Sequence, residues 1–201
     1  MRKVFMLATV LAAVVLPTAS HAQFTIGGRL GYGLAMGDAM TDFGMDDYVG
    51  SQVPVQLDLM YRITPALALG GYVSYGFAQP SGVGSDVCDL PGADCSVSNL
   101  RLGVQGTYAF TNTSPSFVPW LGVGFGWENS SFDSGGGASD TSGWEYLNLQ
   151  GGANWKVSPA FSVGPYAMFS VGEYSNIEGN DIPDTAMHQW LSFGVMGKFD
   201  L

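Results

Sequence analysis

Positive charge is nearly missing from this chain. Seven Lys and Arg stand against 17 Asp and Glu, a formal net charge of -10. A surface this acidic is repelled by phosphate backbones, so nucleic acid is excluded as a partner. Histidine is as scarce, with His21 and His188 alone, and cysteine occurs only as Cys88 and Cys95. Two cysteines with no histidine near them in sequence are too few for a metal site, and no other cofactor motif is present. After the first 22 residues no apolar run is long enough for a membrane helix. Charged residues of either sign make up only 12%, while aromatics reach 13% and glycine 29 residues. A disordered chain has the reverse balance, rich in charge and poor in aromatics.

The N-terminus reads as a targeting segment. Arg2 and Lys3 begin it, residues 4–16 are apolar, Pro17 breaks the run, and Ser20-His21-Ala22 has the small-x-small pattern of a signal-peptidase site. Residues 1–22 are therefore expected to be a cleaved signal peptide, with cleavage after Ala22, and residues 23–201 a single exported domain. Five basic residues fall in that domain: Arg29, Arg62, Arg101, Lys156 and Lys198. In an exported chain Cys88 and Cys95 are expected to pair as a disulfide. So short a loop would be stabilised by ~2–3 kcal/mol on chain-entropy grounds.

What the domain does have is a two-residue period. In 188–201, Leu191, Phe193, Val195, Phe199 and Leu201 share one face, and Trp190, Ser192, Lys198 and Asp200 share the other. The same alternation runs through 23–36, 52–63, 66–77, 99–110, 117–128, 144–157 and 160–174. These eight segments are each long enough for the ~9–11 residues of a tilted membrane strand. Short turns at Thr64-Pro65, 111–116 and Ser158-Pro159 alternate with long loops at 37–50, 79–97, 129–142 and 175–187. An up-and-down meander collects the short turns at one rim and the long loops at the other. The fold class is therefore all-β, an eight-stranded antiparallel up-and-down transmembrane β-barrel.

The polar face of the segments is Gly, Ser, Asn, Gln and Thr with about one charge per strand, far from the ~25–35% charge of a water-facing surface. All five basic residues lie on it. An arginine turned to lipid at mid-membrane costs ~2–4 kcal/mol, so this face must be the lumen. Outward aromatics gather at both ends. Phe24, Tyr61, Tyr108, Phe110, Trp155, Phe161 and Phe199 lie by the turns; Tyr75, Phe77 and Trp127 lie by the loops. These are two interfacial girdles.

The chain contains a repeat across two of its turns. Tyr61-Arg62-Ile63-Thr64-Pro65-Ala66-Leu67 and Trp155-Lys156-Val157-Ser158-Pro159-Ala160-Phe161 agree in kind at every position. With these turns, the alternating faces and the terminal strand, residues 23–201 resemble the small OmpA/OmpX-type outer-membrane barrels. The resemblance implies a bacterial outer-membrane location and a contact between the last strand and the barrel-assembly machinery. It also implies outer-membrane lipid and lipopolysaccharide as surroundings, and a monomer. The chain departs from that pattern at its end, where Leu201 replaces the usual terminal aromatic.

Arg29, Asp58, Arg62, Arg101, Glu128, Lys156, Lys198 and Asp200 are expected to form the lumen charge network. An eight-stranded barrel is only wide enough for its side chains to fill, and buried charges must be paired. A packed plug is thus preferred to a solute pathway, with Asp58 and Glu128 as partners for the arginines. The acidic outer loops read as a solvated crown, since Asp38, Asp42, Asp46 and Asp47 lack calcium-loop spacing. His188, with Asp184 and Ser192 near it, is the only hint of lipid-A-modifying chemistry, but Ser192 lies ~13 Å along the strand. His188 is read as an inert rim residue. The expected role is structural or surface-interacting and not enzymatic. The alternatives are a narrow, porin-like channel for small or apolar solutes and a lipid-A-modifying enzyme.

Overall fold

The computed structural model describes residues 23–201 except 41, 42, 48, 89–94, 115 and 135–137. The expected signal peptide, 1–22, lies outside the described residues. Eight long strands form the barrel wall: β1 (Phe24–Met40), β3 (Val49–Arg62), β4 (Leu67–Pro80), β5 (Ser96–Ala109), β6 (Phe117–Asp133), β7 (Ala138–Lys156), β8 (Phe161–Ile177) and β10 (Met187–Asp200). Two short strands, β2 (Phe43–Gly44) and β9 (Asn180–Asp181), and a short helix α1 (Gly82–Cys88) lie in the long connections. Each long strand pairs antiparallel with the next, and β10 pairs with β1 from Asp200↔Thr25 to His188↔Gly37, closing the sheet.

Burial follows the alternation. Along β3, Val53, Val55, Leu57 and Leu59 are exposed while Gln52, Gln56, Asp58 and Met60 are buried. Val104 is 63% exposed and Arg101, three residues away, 2%. Large apolar side chains outside and arginines inside invert the pattern of a soluble barrel, so the outer face is the lipid-facing one. Aromatic pairs mark its edges: Phe24–Tyr61 (5.2 Å) and Phe117–Trp155 (5.1 Å) by the short turns, Phe125–Trp144 (5.3 Å, stacked) toward the loops.

The repeated turns are the same device twice. Thr64 Oγ1 accepts from the Leu67 amide at 2.9 Å, and Ser158 Oγ accepts from the Phe161 amide at 3.1 Å. In each, the β-branched residue before the hydroxyl donates its amide to the same carbonyl, Leu67 or Phe161, at 2.9 Å. The hydroxyl residue caps the bend that proline presets.

The strands run further outward than their hydrophobic alternation indicates. Residues 129–142 read as a loop, yet β6 and β7 stay paired through Ser131↔Asp140 to Asp133↔Ala138. Beyond the lipid no apolar face is required, so this ribbon carries Ser, Thr and Asp and leaves no period-2 signal. Residues 37–50 also read as a loop in a solvated crown. Instead β1 continues to Met40, and the chain folds over the mouth, with Met45 1% exposed and its amide donating to the Gly37 carbonyl at 2.8 Å. The tip of the β8–β9 hairpin is Glu178-Gly179, both at positive φ (51° and 83°), a conformation that favours glycine. Cys88 and Cys95 form the expected disulfide, with Cα atoms 5.5 Å apart.

Candidate functional site

The alternation of the wall points one side chain in two into the lumen, where they form three tiers. The middle tier is a hydrogen-bonded crossbar. Arg29 on β1 donates through Nε to Asp58 Oδ2 on β3 (2.7 Å), through Nη1 to Gln150 Oε1 on β7 (2.5 Å), and through Nη2 to Gln105 Oε1 on β5 (3.4 Å). Gln56 and Gln105 both donate to Asp58 Oδ1 at 2.8 Å, and Gln150 donates to Gln105 Oε1 at 2.7 Å. The guanidinium carbon also lies 5.5 Å from the Trp120 ring and 5.4 Å from the Tyr166 ring. Gly31 makes the room, since a side chain there would meet the Tyr166 hydroxyl. One ion pair thus ties four strands across the lumen. All its polar members are buried and its carboxylate oxygens are both occupied.

The outer tier holds Arg101, Glu128, Glu145 and His188, each 2% exposed or less. Glu128 was expected to pair with an arginine; its Oε1 instead bonds His188 Nε2. Arg101 donates to Ser170 Oγ at 3.2 Å. His188 is not a rim residue. It is 1% exposed and stacks on Tyr174 with centroids 4.2 Å apart. Gly172 admits the pair, because a Cβ there would sit 2.7 Å from Glu128 Oε1 and 3.0 Å from His188 Nε2. Ser192 Oγ is not a partner of this histidine and has no hydrogen bond among the described residues. Glu145 accepts from the Tyr72 hydroxyl at 2.9 Å.

Strict alternation would have turned Glu145 to lipid with Leu147 and Leu149. A bulge changes the phase: Glu145 opposes Gly172 and Leu147 opposes Val171, so Tyr146 is the extra residue. Packed against this tier, Met45, Val49, Val97, Tyr174 and Trp190 form an apolar lid.

The inner tier lies at the short-turn mouth. Arg62 Nη2 donates to Asp200 Oδ1 at 2.5 Å, and Thr25 Oγ1 donates to the same oxygen at 2.8 Å. Lys198 Nζ stands 4.6 Å from the centre of the Trp120 ring, and Lys156 is exposed at the rim. These four charged residues line a recess of about 320 Å³. Of the eight charged residues expected in the lumen, seven are gathered inside or at its inner mouth in pairs or tiers, and Lys156 reaches only the edge. The bonds from Arg29 to Gln105 and Gln150, the inward turn of Glu145 and the buried state of His188 were not anticipated. Gly172 is the sequence trace of one of them, since it clears space for the buried His188 ring.

The sequence matches no protein-family model and no curated protein. Its backbone does match solved structures. Neisserial surface protein A superposes with a TM-score of 0.58 at 15% identity, over 89% of this chain and 97% of that one. The outer membrane protein AlkL, determined in DMPC lipid bilayers, superposes with a TM-score of 0.51 at 15% identity, over 92% and 95%. At such identity the likeness speaks for the fold, and with the lipid-facing exterior and closed sheet it leads to one conclusion: the chain has the eight-stranded transmembrane barrel fold of the small outer-membrane proteins.

Proposed function

We propose that this chain is an integral protein of the bacterial outer membrane whose barrel is a closed scaffold, with a structural or surface-interaction role. The observation that carries the reading is the Arg29–Asp58 crossbar, which joins β1, β3, β5 and β7 through the centre of the lumen. The apolar lid of Met45, Val49 and Trp190 lies above it and Trp120 with Tyr166 lies beside it. A continuous water path would have to break several buried charge-assisted bonds, each worth ~1.5–3 kcal/mol. With the lumen filled, the outer loops are left as the part that meets partners.

In this reading the barrel is a monomer surrounded by outer-membrane lipid and lipopolysaccharide. It is delivered by a signal peptide and inserted by the barrel-assembly machinery through the β10 strand. An enzymatic role is not favoured, because the buried His188–Glu128 pair has no hydroxyl nucleophile bonded to it among the described residues. Planar-bilayer recording of the refolded protein tests the closed scaffold. The expected trace is flat, and reproducible single-channel steps would replace this reading with that of a narrow solute channel.

A further inference from the structure

The inner mouth has a charge balance opposite to that of the whole chain. Three of the five basic residues of the domain, Arg62, Lys156 and Lys198, line its recess, and Asp200 is the one carboxylate side chain that does. Asp200 is already taken by Arg62. Lys198 and Lys156 make no ion pair or hydrogen bond among the described residues, and Lys198 is held beside the Trp120 ring. Asn154, 6% exposed, lines the same recess, and its buried Oδ1 has no hydrogen-bond partner among the described residues. The apolar side chains of Met60, Pro65, Ala109 and Val118 also line it. A volume of about 320 Å³ is at the lower end of small-molecule sites.

Two ammonium groups without a partner among the described residues and an apolar lining in one concavity are the elements of an amphipathic anion site. We infer that the recess binds a small organic anion, a carboxylate or phosphate attached to an apolar body, presented from the short-turn side. The acid group lies between Lys198 and Lys156, and the body rests on Pro65 and Val118. Because Trp120 lines the recess with Arg29 of the crossbar against its ring, the ligand is held there and does not pass through. Arg62 is a latent third cation, restrained by Asp200.

The test uses the full barrel refolded in an uncharged maltoside micelle, at constant ionic strength. The readout is the Trp120 indole N–H resonance, identified by its loss in Trp120→Phe. Benzoate and phenyl phosphate are the probes, and they separate a carboxylate site from a phosphate site. The expected result is a saturable shift with at least one of them. Lys198→Gln should weaken it about tenfold, the order of one lost charge contact, and Asp200→Asn, by removing the one carboxylate side chain of the recess, should strengthen it. Heat-modifiable gel migration checks that each variant is folded, and Asp200→Asn tests the site by a gain that misfolding cannot mimic. No saturable shift with either probe, equal binding after Lys198→Gln with Lys156→Gln, or acetate binding as well as benzoate would overturn the inference.

Discussion

Asp58 shows how a single residue sets the state of the lumen. It is 4% exposed and accepts from Arg29, Gln56 and Gln105. Removing one partner of a buried ion pair leaves the other charge uncompensated, at a cost of ~3–5 kcal/mol. Asp58→Ala should therefore lower the urea stability of the vesicle-inserted barrel by about that amount. Arg29→Met with Asp58→Leu should cost far less, since an apolar pair of similar volume leaves no charge behind. Equal losses in the two proteins would mean that packing, and not charge pairing, dominates the centre. That Arg29 faces inward was legible from alternation. Asp58 was expected to serve an arginine, but which of the arginines was not legible, nor was Glu128's choice of His188, because partner choice depends on how far each side chain reaches across the lumen.

At the scale of the strand, the bulge in β7 decides which groups line the lumen. Tyr146 is the extra residue, so Tyr146 and Leu147 both turn outward while Glu145 and Asn148 turn inward. Deleting Tyr146 should leave every other side chain on its own face, and the protein should still give a folded, fast-migrating band on an unheated gel. Deleting Val123, in an unbulged part of β6, should abolish that band, because one missing residue there turns half a strand inside out. If both deletions folded, register would not be governing assembly. Alternation carried back from Leu147 puts Glu145 on the outward face, because one extra residue leaves no mark in a two-residue period. The extended ribbon of β6 and β7 was hidden for another reason, having no apolar face at all.

For the whole molecule, the controlling feature is a closed sheet with an apolar exterior. Val104→Arg, at an outward position 63% exposed, should reduce stability in lipid by ~2–4 kcal/mol if it lies at mid-membrane. Urea titration in vesicles measures the loss. An arginine tolerated there without cost would mean the outer face does not meet lipid. Closure also distributes charge. Acidic residues gather in the outer connections and the basic ones on the lumen side, with Arg62, Lys156 and Lys198 at the inner mouth. No single strand carries that polarity; it exists because antiparallel pairing brings the inner ends of β3, β7 and β10 to one rim.

The sequence alone determined the number of barrel staves, their inward and outward faces, the two kinds of connection and the position of both proline turns. These are local properties, encoded by a two-residue period and by residues that preset a bend. Only the tertiary structure decided which charges meet, that Met45 closes the outer mouth, that His188 is buried against Glu128, and that two lysines share a recess without partners among the described residues. Those facts depend on strand register and on side chains reaching across a lumen, between residues such as Arg29 and Gln150 that are 121 positions apart. No local pattern in the chain carries that information.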